Sequence, residues 1–184
     1  MERKNTWGMV FQWALMNTIG LALGIAARQF FFPLSAGLPG YRLLIEGFVL
    51  GLVMALLQTY AFSQYERPYN YWFWLSWLGW TIGWAYGWTW GWRIFGSQGL
   101  HIVMMFRGLL VGLLVGGLQW LSLRQWSTWA NVWLGANVLA WPVGFWLAST
   151  IGGAFSWMIG AAISSVVTGL AMKWIVHNSA PARR

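Results

Sequence analysis

Few side chains in this sequence can do chemistry. It holds three acids, Glu2, Glu46 and Glu66, two histidines, His101 and His177, and neither Asp nor Cys. Tryptophan is abundant, with 18 residues. The stretch GWTIGWAYGWTWGW at 79–92 sets Gly79, Gly83, Gly87 and Gly91 in one four-residue series and Trp80, Trp84, Trp88 and Trp92 in another. An indole N–H deep in an apolar medium requires an acceptor. Either a neighbouring amide or carbonyl supplies it, or the rings line a pocket for a flat apolar or cationic ligand. Trp80, Trp84 and Trp141 are the candidates for such a pocket. Asn137, Gln58 and Gln119, together with Gln12 and Asn17, are the amides that would orient a ligand there. The alternative is that rings fill space and amides join helices.

The charged candidates are Glu46 and Arg107. Each precedes the first glycine of an apolar stretch, and ionisable groups at such depth are usually paired. One reading is a Glu46–Arg107 bridge between helices. The other pairs Glu46 with Arg42, four residues earlier, and lets Arg107 snorkel to the headgroups.

Other chemistries lack their residues. No Asp pair exists for a Mg²⁺-bound polyprenyl phosphate, and no histidine falls mid-span to hold a haem or chlorophyll. Ser149-Thr150 and Ser164-Ser165 lack an adjacent base, so nucleophilic catalysis has no support. No nucleotide-phosphate loop is present. No metal, no cofactor and no enzymatic role are expected. The net charge of +8 reflects missing acids rather than a basic cluster, so nucleic acid is not an expected partner.

The elements that carry these residues follow from composition. The chain is 59% hydrophobic and 8% charged. A soluble surface needs about 25% charged residues, so the solvent is lipid. Apolar stretches predict six spans at about 7–29, 41–63, 70–92, 103–123, 129–149 and 154–176 of a single integral membrane domain, residues 1–184. The first could instead be a signal peptide, behind Arg3 and Lys4. With the N-terminus inside, Arg3, Lys4, Arg67, Arg124, Lys173, Arg183 and Arg184 lie inside, against Arg28, Arg42, Arg93 and Arg107 outside. The excess favours a cell-membrane protein with both termini cytoplasmic. The longest loop, about 93–102, is too short for an extramembrane domain.

Self-comparison reveals a repeat. Shifted by 61 residues, 45–85 lie on 106–146 without a gap and with eleven identities, including Gly47 on Gly108, Gly51 on Gly112, Gln58 on Gln119, Trp72 on Trp133, Trp80 on Trp141 and Gly83 on Gly144. The same shift places Glu46 on Arg107. A weaker copy puts Gly160 on Gly108 in span six, and span one is expected to set Gly20 on Gly83 and Gly144. The expected architecture is therefore all-α: a six-helix transmembrane bundle of three pseudo-repeated hairpins, related by an axis along the membrane normal. The rows Gly79, Gly83, Gly87, Gly91 and Gly108, Gly112 have the small-xxx-small spacing of close helix contacts. They pack this bundle internally, or form an interface to a membrane-protein partner or a second copy.

The segments RGLLVGLLVGGLQWLSLRQW, NVLAWPVGFWLA and IGAAISSVVTGLAM, within residues 107–172, resemble multipass membrane proteins common in cyanobacteria and related bacteria. Those proteins have Gly-rich helices ending in Gln-Trp-Leu-x-Leu-Arg. The resemblance implies a membrane bundle and no particular chemistry. In size the chain resembles substrate-binding subunits of vitamin transporters. It shares tryptophan richness with five-span tryptophan-rich sensory proteins but lacks their Trp-Pro-Pro motif. Two functions follow. The first is a structural or accessory membrane subunit in the lipid bilayer. The second is a small-molecule-binding or transport protein with a tryptophan-lined intramembrane pocket.

Overall fold

The structure is a computed structural model and describes residues 6–35, 41–65, 71–153 and 155–179. Glu2, Arg3, Lys4, Glu66, Arg67, Asn70, Arg183 and Arg184 lie outside the described residues, as does the side chain of Arg28. The described elements are all helical: α1 (Thr6–Ser35), α2 (Arg42–Ser63), α3 (Trp72–Phe95), a 3-10 turn (Gly96–Gln98), α4 (Leu100–Leu123), α5 (Ala130–Ile151) and α6 (Ser156–Asn178). α1 continues to Ser35, past its expected end near 29, and α4 begins at Leu100 rather than 103.

Five of these helices are long and apolar enough to cross a membrane. α3 has the length, with 24 residues, but is not among the five. Eight of its residues are tryptophan, and hydropathy scales rate that ring as hardly apolar. Its outward side chains include Trp74, Leu78, Tyr86 and Trp90, all exposed.

Helix backbones approach one another closely only between neighbours in sequence, and α6 returns to α1. The result is a closed ring. The contacts run in opposite directions at every seam. Gly20 meets Met54 and Gly24 meets Leu50; Gly79, Gly83, Gly87 and Gly91 meet Val115, Val111, Arg107 and Val103. At the closing seam Trp7 lies against Lys173, Val10 against Gly169, and Trp13 against Thr168. All six helices are thus antiparallel to both neighbours, so the described residues nearest the two termini stand at one end. The other end holds the starts of α2, α4 and α6 and is the mouth of the ring.

Glycine makes the seams close. Gly108 would drive a Cβ into the backbone of Trp141 and Pro142, and Gly112 into that of Asn137. On α2, Gly47 meets the backbone of Thr81, and Gly51 meets Trp77 and Thr81. Lipid tails supply little drive for helix association, so backbone proximity and its dispersion contacts do so instead. Along the α3–α4 seam both helices touch through rows four residues apart, the ridge pattern of close small-residue crossings. On α1 and α3 alike the glycines face a partner four residues apart, Gly20 and Gly24 on Met54 and Leu50, Gly79 and Gly83 on Val115 and Val111.

Three layers fill the inside of the ring. Toward the termini, Trp13, Trp72 and Trp133 touch pairwise, with centroids 5.4–6.4 Å apart. Toward the mouth, Trp80 meets Trp141 edge-to-face at 4.8 Å, and Trp84, Phe145 and Trp157 pack above them. Between the two aromatic layers lies a polar one, built from Asn17, Gln58, Ser76, Gln119 and Asn137. The outer skin is aliphatic at mid-height, with Leu23, Leu56, Leu113, Leu139 and Val166 exposed. Exposed aromatics flank it: Trp7, Trp74, Trp129 and Trp174 at the terminal end, Trp90, Trp92, Trp146 and Phe155 at the mouth. An aliphatic band between aromatic belts is the surface that a bilayer selects.

Candidate functional site

The candidate residues divide between the sealed core and the mouth. In the core, the amides form one continuous network. Gln58 Nε2 donates to Asn17 Oδ1 at 2.7 Å. Gln119 Nε2 donates to Gln58 Oε1 at 2.9 Å and to Ser76 Oγ at 2.7 Å. Trp133 Nε1 donates to Gln119 Oε1 at 3.2 Å. Asn137 Oδ1 accepts the indole N–H of Trp141 at 3.0 Å, while its Nδ2 caps the Trp133 carbonyl at 2.9 Å. Asn17 Nδ2 does the same for the Trp13 carbonyl at 2.8 Å. Five helices are joined through groups that satisfy one another, as burial in an apolar medium demands.

Trp80, Trp84 and Trp141 are each no more than 2% exposed and are held by neighbouring rings. The Nε1 atoms of Trp80 and Trp84 have no hydrogen-bond partner, whereas that of Trp141 does. None of the six proposed ligand contacts, Trp80, Trp84, Trp141, Asn137, Gln58 or Gln119, lines the cavity at the mouth. In this fold those rings are core, and the tryptophan row explains why. Residues four apart advance by about 40° around a helix. The row therefore leaves the core gradually, from buried Trp80 and Trp84 through half-buried Trp88 to exposed Trp92. Gly79, Gly83, Gly87 and Gly91 are buried against α4, and Gly108 and Gly112 against α5, inside this one bundle.

The mouth holds a cavity of about 580 Å³. Side chains from α2 to α6 line it: Arg42, Leu43 and Glu46 from α2, Trp88 from α3, Leu100, Met104 and Arg107 from α4, Ala148 and Ser149 from α5, Ser156 and Trp157 from α6. The α2 backbone comes close to neither α5 nor α6, so a space that all of them border lies within the ring. Gly152 and Gly153, in the α5–α6 link, complete the wall with φ of +69° and +82°. Those left-handed angles favour glycine and turn the chain sharply around the rim.

Glu46 and Arg107 both border this cavity, each 4% exposed. Arg42 Nε donates to Glu46 Oε1 at 3.2 Å, the pair within one helix turn that the sequence offered. Arg107 does not snorkel outward. Its guanidinium carbon stands 3.6 Å from the Trp84 ring centroid and 5.1 Å from that of Trp88. Its Nη2 donates to the Trp84 carbonyl at 3.4 Å. The stem crosses Gly87, where a Cβ would come within 2.9 Å of Arg107 Cγ. Gly87 thus makes room for the buried cation, and Trp84 and Trp88 form its bed.

Sequence reasoning missed the cavity itself, because five helices contribute to it. His101 is exposed at the rim, and its Nδ1 lies 3.0 Å from Ser149 Oγ, which puts a base beside a serine for which none was expected. That hydroxyl also lies 2.7 Å from the Trp146 carbonyl, to which it donates, and the tautomer of His101 sets the direction of the Nδ1–Oγ contact. Among the described residues no group of three His, Cys, Asp or Glu side chains is placed to hold a metal ion. No family model, no curated protein and no solved structure matches the chain.

Proposed function

We propose that the chain is a non-enzymatic multipass membrane protein that holds a small molecule in the cup at the mouth of its helix ring. One observation carries this reading: a cavity of about 580 Å³ borders two deeply buried charges, Glu46 and Arg107. Ligand sites typically enclose about 300–1,000 Å³. Charges at such depth in a membrane protein are costly and mark functional sites by default. Tryptophan and amide layers fill the ring below the cup, which favours binding from one end over passage through the ring.

All six helices cross the bilayer in this reading. α3 packs between α2 and α4 along its length and carries an apolar and aromatic outer face. The ring consists of three hairpins on one plan, α1–α2, α3–α4 and α5–α6. Support comes from the matched contacts Gly20–Met54 and Gly79–Val115, and from the Trp13, Trp72 and Trp133 cluster, one ring from each hairpin. Both termini face the cytoplasm of a cell-membrane protein, and the cup opens on the opposite side.

A structural or accessory role is the second reading, favoured by the solid core. Its partner, or a second copy, would have to meet faces other than the two glycine rows, which lie against the bundle's own helices. Native mass spectrometry of the chain purified in mild detergent separates the two. A discrete small molecule should leave the wild-type protein on activation and be missing from Leu100→Trp, which fills the mouth from an exposed wall position. Wild-type protein that carries only bulk lipid and detergent would favour the accessory role instead.

A further inference from the structure

We infer that the cup takes an amphiphile with one anionic oxyacid group, a phosphate or carboxylate, on an apolar body; this rests on the binding reading above. Among the described residues, Arg42, Arg107 and Glu46 are the charged side chains on its wall, two cations against one anion, a formal +1. Glu46 is matched by Arg42 at 3.2 Å. Arg107 is the deeper cation, and Trp84 and the gap at Gly87 fix its position. A guanidinium set in an aromatic bed presents a rigid fork of donors suited to an oxyanion.

The backbone adds to that field. α2, α4 and α6 all begin at the mouth, and Arg42, Leu100 and Ser156, the first residues of these helices, all line the cavity. Helix N-termini expose N–H groups without intrahelical partners and carry partial positive charge. Three of them around one cavity reinforce the preference that the buried arginine sets. The hydroxyls of Ser149 and Ser156 border the same space. The remaining wall suits the apolar body, with Trp88 and Trp157 as flat faces and Leu43, Leu100 and Met104 as aliphatic ones. Such a ligand is either an anionic phospholipid from the membrane or a free fatty-acid-like anion, and the chemistry of recognition is shared.

The test is native mass spectrometry of the full chain in neutral detergent. Four probes are titrated: dioleoyl phosphatidylglycerol, oleate, dioleoyl phosphatidylcholine and dodecyltrimethylammonium. We expect at least one of the two anions to bind about tenfold more tightly than the zwitterion and the cation, the effect of one charge-assisted contact. Leu100→Trp should abolish that binding. Arg107→Gln should erase the preference. Glu46→Gln, which raises the wall charge from +1 to +2, should tighten anion binding, a change that a purely structural carboxylate would not produce. Tighter phosphatidylglycerol than oleate assigns a membrane source, and the reverse a free amphiphile. Binding of phosphatidylcholine or the cation as tight as that of the anions overturns the anionic class and leaves the cup standing. No probe binding that Leu100→Trp removes overturns the cup itself.

Discussion

Gln58 and Gln119 stand at equivalent points of α2 and α4, 61 residues apart, and hydrogen-bond to each other at 2.9 Å in the centre of the ring. Gln119 is the hub. Its amide nitrogen serves Gln58 and Ser76, and its oxygen accepts from Trp133. Removing it orphans buried groups on three other helices. We expect Gln119→Leu to destabilise the protein by about 1–3 kcal/mol, the penalty for leaving buried polar groups unmade. Gln58→Leu on top of it should add less than it does alone, because the two share a bond. Thermal unfolding in detergent of both single variants and the double variant checks this.

The glycines should separate sharply by position. A Cβ at Gly112 meets the Asn137 backbone, which cannot yield, whereas nothing lies within 4 Å of the Cβ positions at Gly117 and Gly135. Gly112→Ala should therefore destabilise by about 1–3 kcal/mol through overpacking. Gly117→Ala and Gly135→Ala should be neutral or stabilise by about 0.5–1 kcal/mol, since both are helix-interior glycines. The same melting assay distinguishes them.

Ring closure can be tested covalently, because the chain has no cysteine of its own. A Cβ at Gly169 lies 3.4 Å from Val10 Cα, across the α1–α6 seam. The pair Val10→Cys with Gly169→Cys should oxidise to an intramolecular disulfide, seen as a shift on non-reducing gels. α1 and α4 make no contact, so Val10→Cys with Val115→Cys should stay reduced.

The bed of Arg107 yields a prediction about shape rather than charge. Its guanidinium stacks on Trp84 at 3.6 Å, a contact that a point ammonium reproduces poorly. Arg107→Lys should lower the melting temperature less than Arg107→Ala, and neither should regain wild-type stability. Gly87→Ala should have an effect in the same direction, by pressing on Arg107 Cγ.

Much of the architecture is legible in the sequence. Lipid-length apolar stretches locate the helices, and the small-xxx-small rows locate the seams, because both signals are local. Gly47 and Gly108, 61 residues apart, press on the backbones of α3 and α5 respectively. In span one Gly20 and Gly24 each fit the glycine register, so the local sequence leaves that register open. Trp13 touches Trp72 and Trp133 in space, which no local signal in span one announces. The site was harder to see. Indoles at mid-depth look the same whether they border a cavity or fill a core, and that difference depends on which helices face each other across the ring. The cup draws on five helices, so no single segment reveals it.

A one-sided cup above a sealed core admits water from one end only, and solvent access along the ring axis reports this. Single cysteines at Ser149→Cys, Leu100→Cys, Ser76→Cys and Ala140→Cys can be challenged with a membrane-impermeant maleimide on each face of reconstituted vesicles. Ser149 and Leu100 border the cup, while Ser76 and Ala140 are buried below it, at 0% and 5% exposure. We expect the first two to label only from the face opposite the termini, and the last two to resist reagent on both faces. Labelling at Ser76→Cys, or labelling of the mouth positions from the terminal face, would reveal an aqueous path through the ring and contradict the account.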